Sequence, residues 1–273
     1  MEPILILALV AVGIGASIIG TIFGIGGGII FIPVLTVLFG LSANEAVAVS
    51  LVGIIATSTG AASVYVKNGS TNIRLGLLLE ITTSIGAMIG AILAAYVASQ
   101  VLLCAFACVL IYSATNMILR KERIIENSDK EGGMSFSYTD GKDRITKKYD
   151  VVNVKSGLLI CTGAGVLSSM TGVGGGTIKV PLMNIHMHVP IKVASATSSY
   201  MIGITAFSGA IIYFIHGDLL LDYAAAVAVG ALLGSMIGTR ITRMIDAGPL
   251  RKYFSILLLA IAVIIFLEAG GIL

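Results

Sequence analysis

Charge is what this 273-residue sequence has least of: only 11 % of its residues are Asp, Glu, Lys or Arg, against roughly a quarter in an ordinary soluble domain. With 57 % hydrophobic residues and a mean hydropathy of +1.02, the chain has too little polar surface to coat a water-soluble body. Ten-residue segments that alternate apolar and polar residues are also missing, which excludes a membrane β-barrel. Backbone groups in lipid must then be satisfied within helices. Cysteine is scarce as well. Cys104 and Cys108 stand one helical turn apart and Cys161 is alone, but no histidine or further cysteine completes a metal set, so they read as small packing residues. Neither a metal nor a cofactor is expected. No basic stripe interleaved with aromatics is present, which excludes nucleic acid as a partner. The opening MEPILILALV lacks the basic region and cleavage site of a signal peptide and is expected to be the first helix of the mature protein.

What the sequence has in quantity is long apolar runs. About twenty apolar residues cross roughly 30 Å of hydrocarbon as a helix, and eight runs qualify, near residues 3–22, 46–66, 75–97, 101–119, 156–171, 191–215, 219–239 and 250–272. The expected fold class is all-α: a polytopic helical membrane protein with about eight long transmembrane helices plus two short broken segments.

A duplication organises these runs. GIGGGIIFIP at Gly24–Pro33 and GVGGGTIKVP at Gly172–Pro181 stand 148 residues apart. The same offset pairs Ser50 with Ser198, Thr57 with Thr205, Tyr65 with Tyr213, and GAMIG at Gly86–Gly90 with GSMIG at Gly234–Gly238. A gapless register of this length predicts a first transmembrane repeat over 1–119, a polar linker over 120–155 and a second repeat over 156–273. Within the linker, MSFSYTDGKDRITKKYDVVNV alternates polar and apolar residues around Asp140-Gly141, as a small β-hairpin would.

Two topologies compete. If the glycine-rich pieces only dip into the membrane and return, the halves point the same way and Lys192, Arg240, Arg243, Arg251 and Lys252 lie outside, against the positive-inside rule. If the short pieces cross, the halves are inverted, and these residues share the cytoplasmic side with Lys67, Arg74 and the linker. The inverted arrangement is favoured, although 29–39 alone makes only about 16 Å of helix. The expected location is the cell membrane, multi-pass, with the linker cytoplasmic.

Inverted or not, duplicated halves point to a transporter with a site near midplane at the repeat interface. Consecutive glycines break a helix and expose N–H groups at the start of the next piece, where the dipole favours an anion. Gly26, Gly27, Gly28, Gly174, Gly175 and Gly176 are therefore candidate substrate-binding residues, with Gly24, Pro33, Gly172 and Pro181 as helix breakers. Tight packing of small residues is the alternative. Neither motif continues into Gly-Lys-Ser/Thr or sits in a strand-to-helix turn, which excludes a nucleotide loop.

Lys179 lies three residues after Gly176 in an apolar stretch, where a central charge costs about 3 kcal/mol. Its counterpart is Phe31. It is expected to hold an anion, the alternatives being that it snorkels to the interface or pairs with a carboxylate. Ser50, Thr197, Ser198 and Thr205 add hydroxyls that could donate to the substrate or bond within the helices. Acidic residues fall mostly at segment ends; only Glu80 and Glu268 lie within segments, and no carboxylate pair marks an ion relay. His186 and His188 follow the second motif and are read as interfacial. Gly86, Gly90, Gly234 and Gly238 form small-xxx-small seams.

The sequences GVGGGTIKVPLMN and VPIKVASATSSYMIGITAFSGA, with GIGGGIIFIPVL and AVAVSL of the first half, together resemble the sulfite exporter TauE/SafE family over both halves. The resemblance implies a membrane permease for a sulfur-containing anion such as sulfite, thiosulfate or an organosulfonate, with Gly24–Gly28, Pro33, Gly172–Gly176, Lys179, Pro181, Thr197, Ser198 and Thr205 at the matching positions. The expected partners are that small anion and membrane lipid, and a homo-oligomer is compatible with the sequence. An anion channel and, more remotely, a membrane-embedded enzyme are the alternative classes. For the enzyme, a membrane His/Asp/Glu cluster is wanting.

Overall fold

A computed structural model describes residues 3–94, 99–119, 134–139, 146–171 and 175–269. The expected runs fold as α1 (Pro3–Phe23), α3 (Ala43–Lys67), α4 (Ile73–Ala94), α5 (Ser99–Leu119), α6 (Val154–Thr171), α8 (Ile191–His216), α9 (Leu221–Met244) and α10 (Ala247–Ala269). Two short helices complete the set: α2 (Gly28–Phe39), and α7 (Gly176–Pro181), which passes into a π-helical turn at Leu182–His186. Six of the described helices are long and apolar enough to cross a membrane. Ile4, Leu7, Leu119, Leu159, Ile215 and Met244 are at least 74 % exposed, and so many outward apolar side chains suit lipid rather than water. The chain is a polytopic helical membrane protein.

Shifted by 148 residues, the first residue of α2, Gly28, falls on Gly176 of α7. Those of α3, α4 and α5 likewise fall on Ile191, Leu221 and Ala247, the first residues of α8, α9 and α10. The compact units, however, take helices from both halves of the sequence. One comprises Met1–Ile73 with Ser195–Met244, the other Arg74–Ala194 with Ile245–Leu273.

In the first unit α9 packs along α1 and α3, and α2 packs on α3. Its core is built from Leu9, Ala16, Phe31, Leu35, Val49, Ile54, Ile202 and Val227. Small residues set the spacing: a Cβ on Gly234 would overlap the Ile14 carbonyl, and one on Gly238 would press on Ile18. Such close approach lets van der Waals packing hold helices that gain little from water exclusion in lipid. Tyr65, fully buried, places its hydroxyl 3.1 Å from Thr242 Oγ1 and 3.3 Å from the Thr21 carbonyl.

In the second unit α5 packs against α10 and α7. The seam between α4 and α6 brings Gly86 against the Thr162 carbonyl and Gly90 against Val166. The linker hairpin forms as β1 (Met134–Thr139) and β2 (Thr146–Val151), antiparallel with Phe136 opposite Tyr149; its turn, including Asp140-Gly141, lies outside the described residues. Tyr138 meets Tyr149 edge-on at 5.9 Å, and Ser135 hydrogen bonds to Asp150. The segment that leaves β2 is tied to the end of the π-helical turn. The Val152 N–H donates to the Met187 carbonyl at 3.3 Å, Asn153 Nδ2 donates to the His186 carbonyl at 3.1 Å, and Ser156 Oγ lies 2.7 Å from His186 Nε2.

Candidate functional site

The first glycine-rich motif forms a buried turn that folds the chain back on α1. The N–H groups of Ile25 and Gly26 both reach the Gly20 carbonyl, at 2.9 and 3.2 Å, and Gly27 comes to rest against Ala16 and Gly20. Gly26 and Gly27 hold φ of +77° and +86°, a left-handed conformation that glycine adopts without strain. Helix α2 then begins at Gly28 with no side-chain cap on its N-cap residue Gly27. The leading N–H groups of a helix have no intrahelical acceptor, and the dipole places partial positive charge beside them. Ser50 of α3 stands at this end. Its Oγ lies 3.5 Å from where a Gly28 Cβ would be, the residue is 1 % exposed, and the hydroxyl has no hydrogen-bond partner. Ile54 and Ile202 wall the same turn. Pro33, expected to break the helix, sits inside α2, which runs on through it to Phe39.

The other expected hydroxyls of this unit hold the scaffold. Ser198 Oγ donates to the Gly24 carbonyl at 2.6 Å, and Ser195 Oγ donates to the Ile22 carbonyl at 2.9 Å. Together they clamp α8 of the second half onto the glycine-rich turn of the first. Thr197 Oγ1 accepts from the Asn72 N–H at 3.0 Å. Thr205 Oγ1 donates to its own helix at Met201, 3.4 Å away. Ser58 Oγ donates to the Ser199 carbonyl at 2.6 Å, fixing α3 against α8.

In the second unit Gly172 and Gly174 lie outside the described residues. Gly175 and Gly176 precede and open α7, which ends at Pro181 and continues into the π turn. Lys179 is fully buried and its side chain folds back over Gly175, where a Cβ would stand 2.8 Å from Lys179 Cε. Gly175 therefore makes room for the lysine. Lys179 Nζ donates to Glu80 Oε2 of α4 at 2.7 Å, with side-chain exposures of 0 % and 4 %. Of the three readings of Lys179, the structure places it against a carboxylate. Three residues after Glu80, Thr83 Oγ1 donates to the Cys161 sulfur at 3.4 Å, and Cys161 is within electrostatic reach of both Glu80 and Lys179. Thr177 Oγ1, two residues before Lys179, is buried with no partner.

Glu80, named as one of two acids within the apolar segments, is the residue that sequence reasoning left unmatched to Lys179. The signal was available: it is an acid in the middle of an apolar run, subject to the same insertion penalty that singled out Lys179. The two residues stand 99 positions apart, and only the fold reveals that they meet. Among the described residues no cluster of His, Cys, Asp or Glu is placed to hold a metal ion.

These features sit in a chain whose residues 9–265 match the family model described as sulfite exporter TauE/SafE. The chain belongs to the sulfite exporter TauE/SafE family. Two curated relatives are similar over nearly their full lengths. One is a probable membrane transporter protein, YunE, of Bacillus subtilis, 28 % identical over 93 % of this chain and 94 % of the relative. Another, of Haemophilus influenzae, is also called a probable membrane transporter protein and is 25 % identical over 96 % and 98 % of the two chains. A shorter match, 31 % identical over 37 % of this chain and 23 % of the relative, is to the sulfite exporter TauE/SafE family protein 5 of Arabidopsis thaliana. No solved structure gives a significant match. This TauE/SafE member is a membrane transporter protein, built of helices that suit lipid and held together by hydroxyls and close-packed glycines.

Proposed function

We propose that this TauE/SafE protein is a secondary transporter for a small sulfur-containing anion such as sulfite, thiosulfate or an organosulfonate. The observation that carries the reading is the start of α2: a buried, uncapped helix N-terminus with the unpartnered Ser50 hydroxyl beside it. Leading N–H groups, helix dipole and hydroxyl are all donors, so the ligand that satisfies them is an acceptor with negative charge. A buried hydroxyl left without a partner costs about 1–3 kcal/mol, and a bound oxyanion would remove that cost. The expected pairing of the glycine-rich turn with the second half is consistent with Ser195 and Ser198 clamping it. We read the halves as inverted, with the linker cytoplasmic, because that arrangement gathers the positive charge on one side; helix pairings also recur when the halves are exchanged, as a two-fold relation of either kind requires. Gly86 against Thr162 becomes Gly234 against Ile14, and Gly90 against Val166 becomes Gly238 against Ile18.

The test is flux of labelled sulfite, thiosulfate, sulfoacetate and sulfate into proteoliposomes of the wild type and Ser50→Ala. Saturable flux of one anion is expected. In Ser50→Ala it should fall about tenfold at subsaturating concentration, the equivalent of one hydrogen bond to a charged group. Flux that does not saturate would make the protein a channel, and undiminished flux in Ser50→Ala would remove the α2 terminus from the site.

A further inference from the structure

We propose that Ile54 and Ile202 determine which anion the α2 terminus accepts: their methyl groups select an anion with oxygens on one side and none on the other, and so reject sulfate. This rests on the anion-transporter reading and deepens it at the same site.

Ile54 of α3 and Ile202 of α8 are equivalent residues of the two sequence halves, 148 positions apart. Both belong to the first compact unit, and they converge on one glycine. A Cβ on Gly26 would stand 3.0 Å from Ile54 Cγ2 and 3.0 Å from Ile202 Cγ2, so the two methyl carbons are at most twice 3.0 Å apart. An atom seated between two carbons needs about 3.5–4.0 Å to each. Nothing fits between the methyls, and they form one unbroken apolar wall. Ile54 also reaches the start of α2 itself. Its Cδ1 lies 2.8 Å from where a Gly28 Cβ would be, and Ser50 Oγ lies 3.5 Å from the same point.

The helix start is therefore two-faced. On one side are donors: the leading N–H groups of α2 and the Ser50 hydroxyl, buried without a partner one turn before Ile54. A second buried hydroxyl without a partner, Ser199, stands one turn before Ile202 on α8, and residues three or four apart are neighbours on a helix surface. On the other side are isoleucine methyls, which donate nothing.

An oxyanion that leaves water needs its hydrogen bonds replaced. Oxygens turned to N–H and hydroxyl groups have them replaced, and an oxygen turned to the wall does not. Sulfate has oxygens at all four corners and presents one to the methyls in any orientation. Thiosulfate has the same charge and tetrahedral shape, with sulfur, a weaker acceptor, at one corner. A sulfonate has carbon there and sulfite a lone pair. Each can turn that corner to the wall and its three oxygens to the donors.

The experiment uses the whole protein in proteoliposomes with the membrane potential clamped at zero. Flux of labelled thiosulfate and of labelled sulfate, both subsaturating, is read as a ratio within one preparation, so that loss of folded protein cancels. The wild type should carry thiosulfate roughly tenfold to a hundredfold faster, the range over which an apolar pocket rejects an isostere with one more polar group. Ile54→Thr and Ile202→Thr place a hydroxyl in the wall, and one or both should lower the ratio about tenfold, as one hydrogen bond to a charged group would. Ile202→Ala, which makes room for water at the wall, should lower it in the same direction. Ser50→Ala should slow both anions alike, because it serves oxygens that both carry. If sulfite or sulfoacetate is the anion carried, it replaces thiosulfate in the ratio. Equal wild-type rates overturn the proposal, as does a wild-type ratio in every variant that reconstitutes. Equal rates that Ser50→Ala still slows leave the α2 site standing without this specificity. Flux that Ser50→Ala does not slow, or wild-type protein that carries none of the four anions, overturns the site and this proposal with it.

Discussion

The register that carries Lys179 and Glu80 in one compact unit carries Phe31 and Ala228 in the other. Around this difference two glycine seams recur at the same 148-residue offset. Gly86 and Gly90 press on Thr162 and Val166 as Gly234 and Gly238 press on Ile14 and Ile18. The shared contacts are backbone against backbone through missing side chains, and they set helix spacing. The unshared pair is ionic, buried and 2.7 Å apart. Where two units share a scaffold, a costly feature confined to one of them is the better candidate for function.

Breaking the comparison at its most costly point gives the largest expected effect. Glu80→Ala removes the carboxylate that the buried Lys179 meets at 2.7 Å, and removing one partner of a buried ion pair costs about 3–5 kcal/mol. Thermal unfolding in detergent should show this as a large drop in Tm or a loss of folded yield. Adding Lys179→Phe to Glu80→Ala copies the Phe31 and Ala228 of the other unit and should recover most of the lost stability. A double variant no more stable than Glu80→Ala would mean that the two registers are not packing equivalents. Recovered stability with retained transport would mean that the pair is only a scaffold feature.

The second prediction sharpens the shared part. Gly86→Val and Gly234→Val each force side-chain atoms into a backbone carbonyl of the facing helix, and overpacking of this kind costs about 1–3 kcal/mol. The two losses, read as Tm shifts, should be similar in size because the contacts are the same contact in two places. A large loss for one and none for the other would break the equivalence of the units.

Much of this was legible in the sequence because it is local. Apolar runs gave the long helices to within a few residues, and the glycine motif placed a short helix over 29–39, one residue from its start at Gly28. The polar alternation of the linker placed the β1–β2 hairpin. What was hidden depends on which helices meet. The sequence halves do not coincide with the compact units, since α8 and α9 pack with α1–α3 while α4 and α5 pack with the elements of the other half. Hence Ser198, one of several candidate donors, turns out to be bonded to Gly24, and of Ser50, Thr197, Ser198 and Thr205 it is Ser50 that is left without a partner. The π turn after Pro181 was equally illegible. A proline inside a short helix announces a disturbance of the hydrogen-bond ladder, but not whether the chain answers it by kinking, as a start or by widening.

The smallest expected effect concerns how the two equivalent helices α3 and α8 begin. Their first turns close alike: the Ser42 carbonyl accepts from the Ala46 N–H, and the Pro190 carbonyl from the Ala194 N–H, both at 2.9 Å. The caps differ chemically. Ser42 Oγ accepts from the Glu45 N–H, and Glu45 Oε2 accepts from the Ser42 N–H at 2.9 Å, a reciprocal box that satisfies two donors at an exposed helix start. Pro190 has no hydroxyl and no N–H; it acts by restricting the unfolded chain. Ser42→Ala should therefore lower stability by about 1 kcal/mol through lost hydrogen bonds. Pro190→Ala should lower it by about 0.4–1 kcal/mol through entropy. Neither should change the concentration of anion that half-saturates transport. If Ser42→Ala alters that concentration while its Tm stays put, the start of α3 belongs to the transport machinery, and Ser50, two turns further along the same helix, would be the first place to look for the connection.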